Sequence, residues 1–560
     1  MIKYIKNAVL LLAASLILQQ ASVGAAELEP TFQQKHASKN IAFFAPFGGA
    51  SHMNWVLSIG NELGMRGHNI TFLTVDEFTK LGRSSPYVNT MSVGQGVDVS
   101  GTAQYTKDLK GTTIDTIKFM GKGFEYMYAN FERDFKAAKE FFESNNIDLA
   151  ICDHFSDACY TAADLLHIPY VVTSTLSITN DGGATYINNK LTTMTDFTTE
   201  FQPFATRFVG KFFVPMMELY YLLPTLNQVT DRKRALGIPA KMQEPSETWK
   251  NSLKLINSLN GFSAPRPLGP LVEYVGPIIS KTYQPLTEDL KEYLDSHERV
   301  AYVAFGQMAT PVEKDIYLIL SGLLESIEQG RLDGFLWASV HAAGYFPDTI
   351  TTSSNTTYNV QDMFNQRNPH ARVIKWAPQT AVLQHPSTRL FVSHGGLGSW
   401  YESMYSGTRM VMFPFFGDQP GNALLIERGK LGGILKNDFT VPQAVELLRR
   451  ILDDEDGEIA KNVDKYQALV QIHSRHGVAK GADLIEEVAY THEDGLLKHR
   501  QSADQRMGYV KSHDLDLYGA LLVVVGLGLW FTTAIVKHVA LHLKSTSTEK
   551  TQYYRQHIHD

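Results

Sequence analysis

The chain has 560 residues, too long for one ordinary core, which predicts two folded domains with additions at the ends. Hydrophobic residues are 44% and charged residues 19%, a composition that excludes a disordered chain. The net charge of -7 speaks against a nucleic-acid partner, which calls for a basic surface.

In chain order, Lys3 and Lys6 precede an apolar run from Ala8 to Leu18, and Gly24-Ala25-Ala26 supplies small residues for cleavage. Together they predict a secretion signal over 1–26. Ile41 to Ala45 reads as a buried strand. The next stretch brings Val56, Ile59 and Leu63 to one helical face, Gly67 ends it, and Ile70 to Val75 reads as a second strand. That order implies a parallel pair. Ile147 to Cys152 is a further strand of the same sheet. Cys152 and Cys159 are the only cysteines; at seven apart they can bridge, but nothing in the sequence forces a disulfide. A disulfide framework and a CxxC metal site are excluded, and no metal site is expected. Of two glycosylation sequons, Asn69 opens a strand, and Asn355, in a Ser/Thr/Asn-rich loop, is the better acceptor.

Residues 201–224 crowd Phe201, Phe204, Phe208, Phe212, Phe213 and Met216 into one stretch broken by Pro203 and Pro215. The plainer expectation is a core-packing segment; an acceptor-pocket wall or a membrane-facing patch is the alternative. A boundary falls between Gly276 and Arg299, marked by Pro277, Pro285 and a charged run, so that 27–280 forms one domain and 281–510 the other. The second opens with Val300 to Phe305. Thr310, Pro311 and Glu313 predict a capped helix start, with the helix running to about Gln329. Phe335–Val340, Val373–Ile374, Leu390–Ser393 and Met410–Phe413 follow as strands, alternating with helices as in a doubly wound parallel sheet. Leu517 to Val536 carries no charge and would span about 30 Å as a helix, enough for a bilayer core. Lys537, His538, Lys544 and Lys550 follow, which places a 537–560 tail in the cytosol and the body in the lumen or outside, a single-pass type I membrane protein.

The informative region is 376–429. It reads Trp376-Ala377-Pro378-Gln379, then Ser393-His394-Gly395-Gly396-Leu397-Gly398-Ser399-Trp400-Tyr401-Glu402, then Gly417-Asp418-Gln419. A strand ends at Ser393, glycines follow, and a helix begins near Ser399. Glycines let backbone approach a ligand, and a helix N-terminus presents unpaired N–H groups, a combination suited to a diphosphate. His394 and Ser399 add hydrogen bonds, and Glu402 can accept from ribose hydroxyls. Trp376 offers a flat face to a base, and Asp418 and Gln419 suit sugar hydroxyls.

These three blocks, Trp-x-x-Gln, His-x-Gly-x-x-Ser-x-x-Glu and Asp-Gln, resemble the nucleotide-sugar signature of UDP-glycosyltransferases. Gly396, Gly398, Gln379 and the strand-end Gly306 belong to the site on that resemblance; Gln307 departs from it, standing where Ser is common. The signal, two-domain body, single span and basic tail resemble the animal UDP-glucuronosyltransferases, as does Pro265-Arg266-Pro267-Leu268 followed by Val275-Gly276-Pro277. The resemblance covers essentially the whole chain, most strongly 300–435 and least 85–250. It implies an α/β fold of GT-B type: two Rossmann-like doubly wound domains facing across a cleft, plus a C-terminal transmembrane helix. It implies a UDP-sugar donor, glucuronate or glucose, with no other cofactor, and residence in the endoplasmic reticulum, for which the His557-Ile558-His559-Asp560 terminus carries no dilysine signal. Arg266, Arg372 and Arg409 are candidate partners for a glucuronate carboxylate. The aromatic- and Met-rich first half suggests a small lipophilic acceptor. Homo- or hetero-oligomerisation is left open.

The acceptor half needs a base. His52 follows the first strand within Gly48-Gly49-Ala50-Ser51-His52, in a loop at the carboxyl end of a parallel strand, where open α/β sheets bind ligands. An imidazole suits proton removal at neutral pH. Asp153, at the end of another strand, can orient it through the other ring nitrogen. Both positions match the catalytic His and Asp of the resembled family. His154 is expected to point elsewhere. The implied chemistry is a single inverting displacement; the alternative is a catalytically inactive membrane-bound relative that serves as a binding or partner subunit.

Overall fold

Short apolar strands alternating with helices build two wholly parallel sheets, each closed in by helices on its faces. The computed structural model describes residues 37–556 apart from 99–112, 178, 189–195, 244 and 341; the expected signal and the last four residues lie outside these.

The first sheet is built from β1 (Asn40–Phe44), β2 (Asn69–Thr74), β3 (Val88–Ser92), β4 (Leu149–Asp153), β5 (Tyr170–Ser174), β6 (Leu253–Ile256) and β7 (Val272–Tyr274). Helix α1 (Ala50–Met65) links β1 to β2; α2 (Thr113–Tyr128), α3 (Phe131–Ser144), α4 (Asp157–Leu165), α5 (Phe204–Phe212) and α6 (Val214–Ala235) follow. The strand order is β3-β2-β1-β4-β5-β6-β7. β4 and β5 are buried along their whole length, as strands covered on both faces must be. Cys152 and Cys159 form a disulfide that ties β4 to α4.

The second unit opens with α7 (Glu288–Asp295) and β8 (Val300–Ala304), then α8 (Glu313–Glu328), β9 (Gly334–Ala338), the hairpin β10 (Thr349–Thr351) and β11 (Thr357–Asn359), and β12 (Ala371–Ile374). It continues through α9 (Gln379–Gln384), β13 (Thr388–Ser393), α10 (Leu397–Ser406), β14 (Arg409–Met412), α11 (Gln419–Arg428), β15 (Gly432–Ile434), α12 (Val441–Asp453), α13 (Glu458–Ser474) and α14 (Gly477–Thr491). Its sheet runs β12-β9-β8-β13-β14-β15. The order reverses beside β1/β4 in one sheet and β8/β13 in the other, and such switch points open crevices at the carboxyl ends of strands.

Three expectations are corrected. Thr310 does not cap α8: the helix begins at Glu313, and the Asp315 carboxylate accepts from the Val312 N–H at 3.1 Å. Residues 201–224 are not the expected core segment: α5 buries none of its residues, and Phe201, Phe213, Met216 and Tyr220 are exposed as well. Finally, α14 lies inside the expected second domain but returns to the first. Its Ala482, Ile485 and Val488 pack with Trp55, Ile59 and Leu63 of α1, and Glu486 bonds His68 at 3.0 Å and Arg66 at 2.6 Å.

Asn355 sits on an exposed turn with φ 63°, whereas the Asn69 amide donates to Asn40 within the strand pair. Helix α15 (Leu515–Gln556) contains Leu515–Thr548, which is long and apolar enough to cross a membrane, with a mean hydropathy of 2.2 and none of its most apolar stretch buried.

Candidate active site

After β1 the chain turns through Gly48 (φ 98°) and Gly49 (φ 75°), both left-handed. A Cβ on Gly48 would lie 2.6 Å from the His52 ring, so this glycine serves the turn and clears the imidazole. Helix α1 starts at Ala50, so His52 stands in the first turn of a helix, not in the loop. Helical geometry aims it back across the end of β1 towards β4, whose last residue is Asp153. His52 Nδ1 and Asp153 Oδ2 are 2.9 Å apart, and Asp153 Oδ1 accepts the Phe155 N–H at 3.0 Å. The Asp153 side chain is 1% exposed.

Burial works against a charged His52, but Asp153 outweighs it and raises the imidazole pKa, with a further contribution from Asp418. Burial likewise drives the Asp153 carboxyl up, yet the imidazoles of His52 and His154 hold it well below the usual carboxylate range. The pair is therefore an anionic carboxylate against an imidazole whose positive form it stabilises.

Contrary to expectation, His154 belongs to this cluster. The strand ends at Asp153, so the alternation of a strand no longer turns His154 away. Its Nδ1 is 3.7 Å from Asp153 Oδ2, and its ring stacks on His52 with centroids 5.2 Å apart. Phe155 covers the other ring contact at 4.9 Å. The ligand atoms of His52, Asp153 and His154 lie within 4.8 Å of one another, close enough to share a cation. The 2.9 Å His52–Asp153 separation is that of a hydrogen bond, and the hydrogen-bonded reading accounts for it directly.

The opposite wall is built at the ends of β8 and β13. Gly306 (φ 68°) follows β8, and a Cβ there would lie 3.1 Å from His394; one on Gly396 would lie 2.5 Å from His394 Nε2. The two glycines thus form a slot for that ring. Burial pushes the His394 pKa down to about 4, against a hydrogen bond at the Ala304 carbonyl, so His394 is neutral at pH 7. Its Nδ1 is buried without a partner among the described residues. Helix α10 begins at Leu397, two residues before the expected start, and its N-cap Gly396 offers no side-chain cap. Its first N–H groups, near the exposed Gly398, remain available to an anion.

Gln379, at the start of α9, donates to Ser399 Oγ at 3.1 Å and to Glu402 Oε2 at 2.5 Å. Thr380 donates to the other Glu402 oxygen at 2.5 Å. Burial raises the Glu402 pKa, against these two hydrogen bonds. Trp376 is 58% exposed, leaving a ring face accessible beside this network. Asp418 accepts from Asn422 at 2.7 Å, and the same Asn422 amide donates to the Gly395 carbonyl at 2.8 Å. Burial raises the Asp418 pKa, against the Asn422 bond and the attraction of His52. Gln419 Oε1 accepts the Phe415 and Phe416 N–H groups at 2.9 and 3.2 Å, which shapes the loop before α11. Thr380 and Asn422 escaped the sequence reading. Asn422 follows Asp418 by one helical turn, the spacing that brings side chains together, and that signal was available.

The two walls meet. His52 and Asp418 feel each other's charge, the Tyr401 hydroxyl donates to the Asn257 carbonyl at 2.8 Å, and Phe119 of α2 touches Phe416 with centroids 5.2 Å apart. A carboxylate-backed imidazole thus lies within electrostatic reach of Asp418, which Asn422 ties to the Gly395 carbonyl just before α10: one wall can take a proton while the other offers a helix N-terminus to negative charge.

Comparison with known proteins agrees with this geometry. The family described as "UDP-glucoronosyl and UDP-glucosyl transferase" matches residues 45–550. UDP-glycosyltransferase stmC of Aspergillus ustus is 27% identical over 517 residues, covering 85% of this chain and 94% of its own length. UDP-glucuronosyltransferase 2B19 of Macaca fascicularis is 24% identical over 519 residues, 86% of this chain and 90% of its own. Among solved structures, a UDP-glucose: anthocyanidin 3-O-glucosyltransferase in complex with UDP superposes with a TM-score of 0.54 at 19% identity, over 81% of this chain and 100% of that one. The fold is GT-B.

Proposed function

This chain belongs to the UDP-glucuronosyl and UDP-glucosyl transferase family, and on that premise we propose that it transfers a hexosyl group from a UDP-sugar to a small lipophilic acceptor by one inverting displacement. The observation that carries the reading is the His52–Asp153 pair at 2.9 Å, within electrostatic reach of Asp418 on the opposite wall. Asp153 holds Nδ1, which leaves Nε2 to accept the acceptor's hydroxyl proton. The acceptor oxygen forms its bond to the anomeric carbon as the bond to UDP breaks, and the electron pair leaves on the diphosphate. That charge develops at the α10 N-terminus beside His394 and Ser399. Glu402, held by Gln379 and Thr380, takes ribose hydroxyls; Trp376 takes the uracil face; Asp418 takes sugar hydroxyls. An α-linked donor then gives a β-linked product.

A neutral hexose fits the donor side better than a uronate. Arg266 donates to the carbonyls of Ser177 and Ala264, Arg372 lies 4.4 Å over the Tyr293 ring, and Arg409 bonds the Ile451 carbonyl and Asp454. All three cations considered for a carboxylate thus already hold protein partners, Arg266 within the cavity it lines with Leu397 and Asn422. We read α15 as a single membrane span with the body luminal, in the endoplasmic reticulum.

The test offers the purified full chain several UDP-sugars with a panel of phenols and reads conjugates by mass. A UDP-glucose conjugate is expected, and His52→Ala should abolish it while leaving UDP affinity intact. Turnover at the native rate in that variant overturns the base assignment, and a preference for UDP-glucuronate overturns the neutral-donor reading.

A further inference from the structure

The first unit holds a cavity of about 350 Å³ apart from the transfer site. Helix α4 leaves the carboxyl end of β4 and returns the chain to the amino end of β5. The cavity follows it from Asp157 to Leu165, a length of roughly 14 Å at 1.5 Å per residue, and on to His167. The second half of α6 and the stretch 238–243 form its other side, and Gln243 donates to Thr248 at 3.0 Å there. None of His52, Asp153, His394, Glu402 and Asp418 lines it. Its volume falls in the range of small-molecule sites, which begins near roughly 300 Å³.

One end of the cavity is polar. Asp157 Oδ1 accepts from Thr161 Oγ1 and from Lys233 Nζ, both at 2.7 Å, and Oδ2 accepts from the Tyr128 hydroxyl at 2.6 Å. Lys233 Nζ also lies 2.6 Å from Oδ2. Tyr128, Asp157 and Thr161 are all at least nine-tenths buried. The carboxylate is saturated, so the capacity left belongs to its partners. The Tyr128 and Thr161 oxygens can each accept a further hydrogen bond, and the third N–H of Lys233 can donate one. A single hydroxyl, which both donates and accepts, meets that set. Beyond it the wall is apolar, with Leu226 beside the buried Val229 and Ile238. Formal charges along the lining cancel, Asp157 and Asp164 against Lys233 and Lys241, so the cavity offers no excess charge to offset the desolvation of an ion.

We propose that this cavity is a second ligand site, for an uncharged lipophilic molecule of one or two rings that carries a hydroxyl. The hydroxyl sits among Tyr128, Thr161 and Lys233, and the rings lie against Leu226, Val229 and Ile238. No residue of the donor wall lines the cavity, so the molecule is held there without being transferred. The inference goes beyond the transfer reaction and does not depend on it.

The probe is 4-hydroxybenzophenone, which has the rings and the hydroxyl and cross-links to nearby C–H bonds on irradiation. The purified full chain is irradiated over a range of probe concentrations, and labelled peptides are mapped by mass spectrometry. Labelling is expected within 157–167 or 226–243, with half-saturation below ~1 mM. Ala240→Trp and Leu226→Trp each fill the cavity with a ring from its rim or wall, and each should cut that label by at least ~5-fold. Unchanged UDP affinity shows which of the two has kept its fold. 4-Benzoylbenzoate, the same skeleton with a carboxylate, should label these stretches at least ~5-fold less than the phenol. Label confined to the inter-domain cleft overturns the proposal and leaves the transfer reading standing, since that reading is judged by conjugate formation. Label that rises without saturating, or that persists in a filled variant which still binds UDP, also overturns it. Equal labelling by the carboxylate overturns the uncharged class of ligand.

Discussion

Replacing Asp153 by Asn removes one negative charge and almost no volume from a side chain that is 1% exposed. With roughly 4 Å between charge centres and an effective dielectric of about 20, the attraction of Asp153 for an imidazolium at His52 is about 4 kcal/mol. The neutral amide can still accept a hydrogen bond, which returns about 1 kcal/mol and leaves about 3 kcal/mol lost. As the proposed base, His52 is neutral when it meets the acceptor and gains charge only as the proton arrives, so nearly all of this falls on the transition state. At about 1.4 kcal/mol per decade, kcat should drop on the order of 100-fold to 1,000-fold. The pH profile supplies a second reading of the same interaction. A base at His52 works in its unprotonated form, so activity should rise with pH through its pKa. Asp153 holds that pKa up, and its loss lowers it. The acid limb of kcat/KM should therefore move to lower pH in the variant while its plateau falls. Steady-state kinetics from acid to neutral pH, with UDP affinity as control, reads both. A plateau within about 3-fold of the native value, or an acid limb that stays or rises, would refute the argument.

On the donor side, Glu402→Ala removes the acceptor for Gln379 and Thr380 as well as for the ribose, and UDP should bind roughly 10- to 100-fold more weakly by calorimetry, the loss of about 1.5–3 kcal/mol typical of a hydrogen bond to a charged group; unchanged affinity counts against the ribose role. Gly396→Ala drives a methyl to 2.5 Å from His394 and should cost about 1–3 kcal/mol in stability as well as UDP affinity, seen together in thermal melts with and without UDP. Glu486→Ala leaves His68 and Arg66 facing a vacated buried site and should lower the melting temperature by several degrees, consistent with the ~3 kcal/mol lost when one partner of a buried pair is removed. Burial opposes ionisation of Glu486 itself, but His68 and Arg66 outweigh it and lower its pKa. Its contribution is therefore complete above the ordinary carboxylate pKa and fades as pH falls through the lowered native value, which acid titration of the melting temperature in wild type and variant should show.

The local patterns were legible because each rests on near neighbours. Apolar runs such as Val300–Phe305 mark strands buried on both faces, and alternation with helices forces parallel pairing. The blocks from Trp376 to Gln419 put a glycine turn before a helix start, and a helix terminus attracts an anion whatever the rest of the fold does. His52 was sought just after the first strand and Asp153 at the end of another, where such sheets bind ligands. The errors have one source. His154 was judged by the alternation of a strand that had already stopped. Thr310 was judged by local capping chemistry, which Asp315 supplies instead. Residues 201–224 were given a core by composition, although composition does not say which faces meet.

Sequence by itself thus determined the elements, the glycine turn before a helix start, and the candidate His52 and Asp153 beside strand ends. Tertiary structure alone decided that the two walls meet, that Arg266, Arg372 and Arg409 each take protein partners, that α14 closes the first unit, and that the aromatic residues of α5 are left outside. Periodicity and capping act over a few residues and are written in their order, whereas the partner of a charge or a ring is fixed by which distant surfaces come to share a place in space.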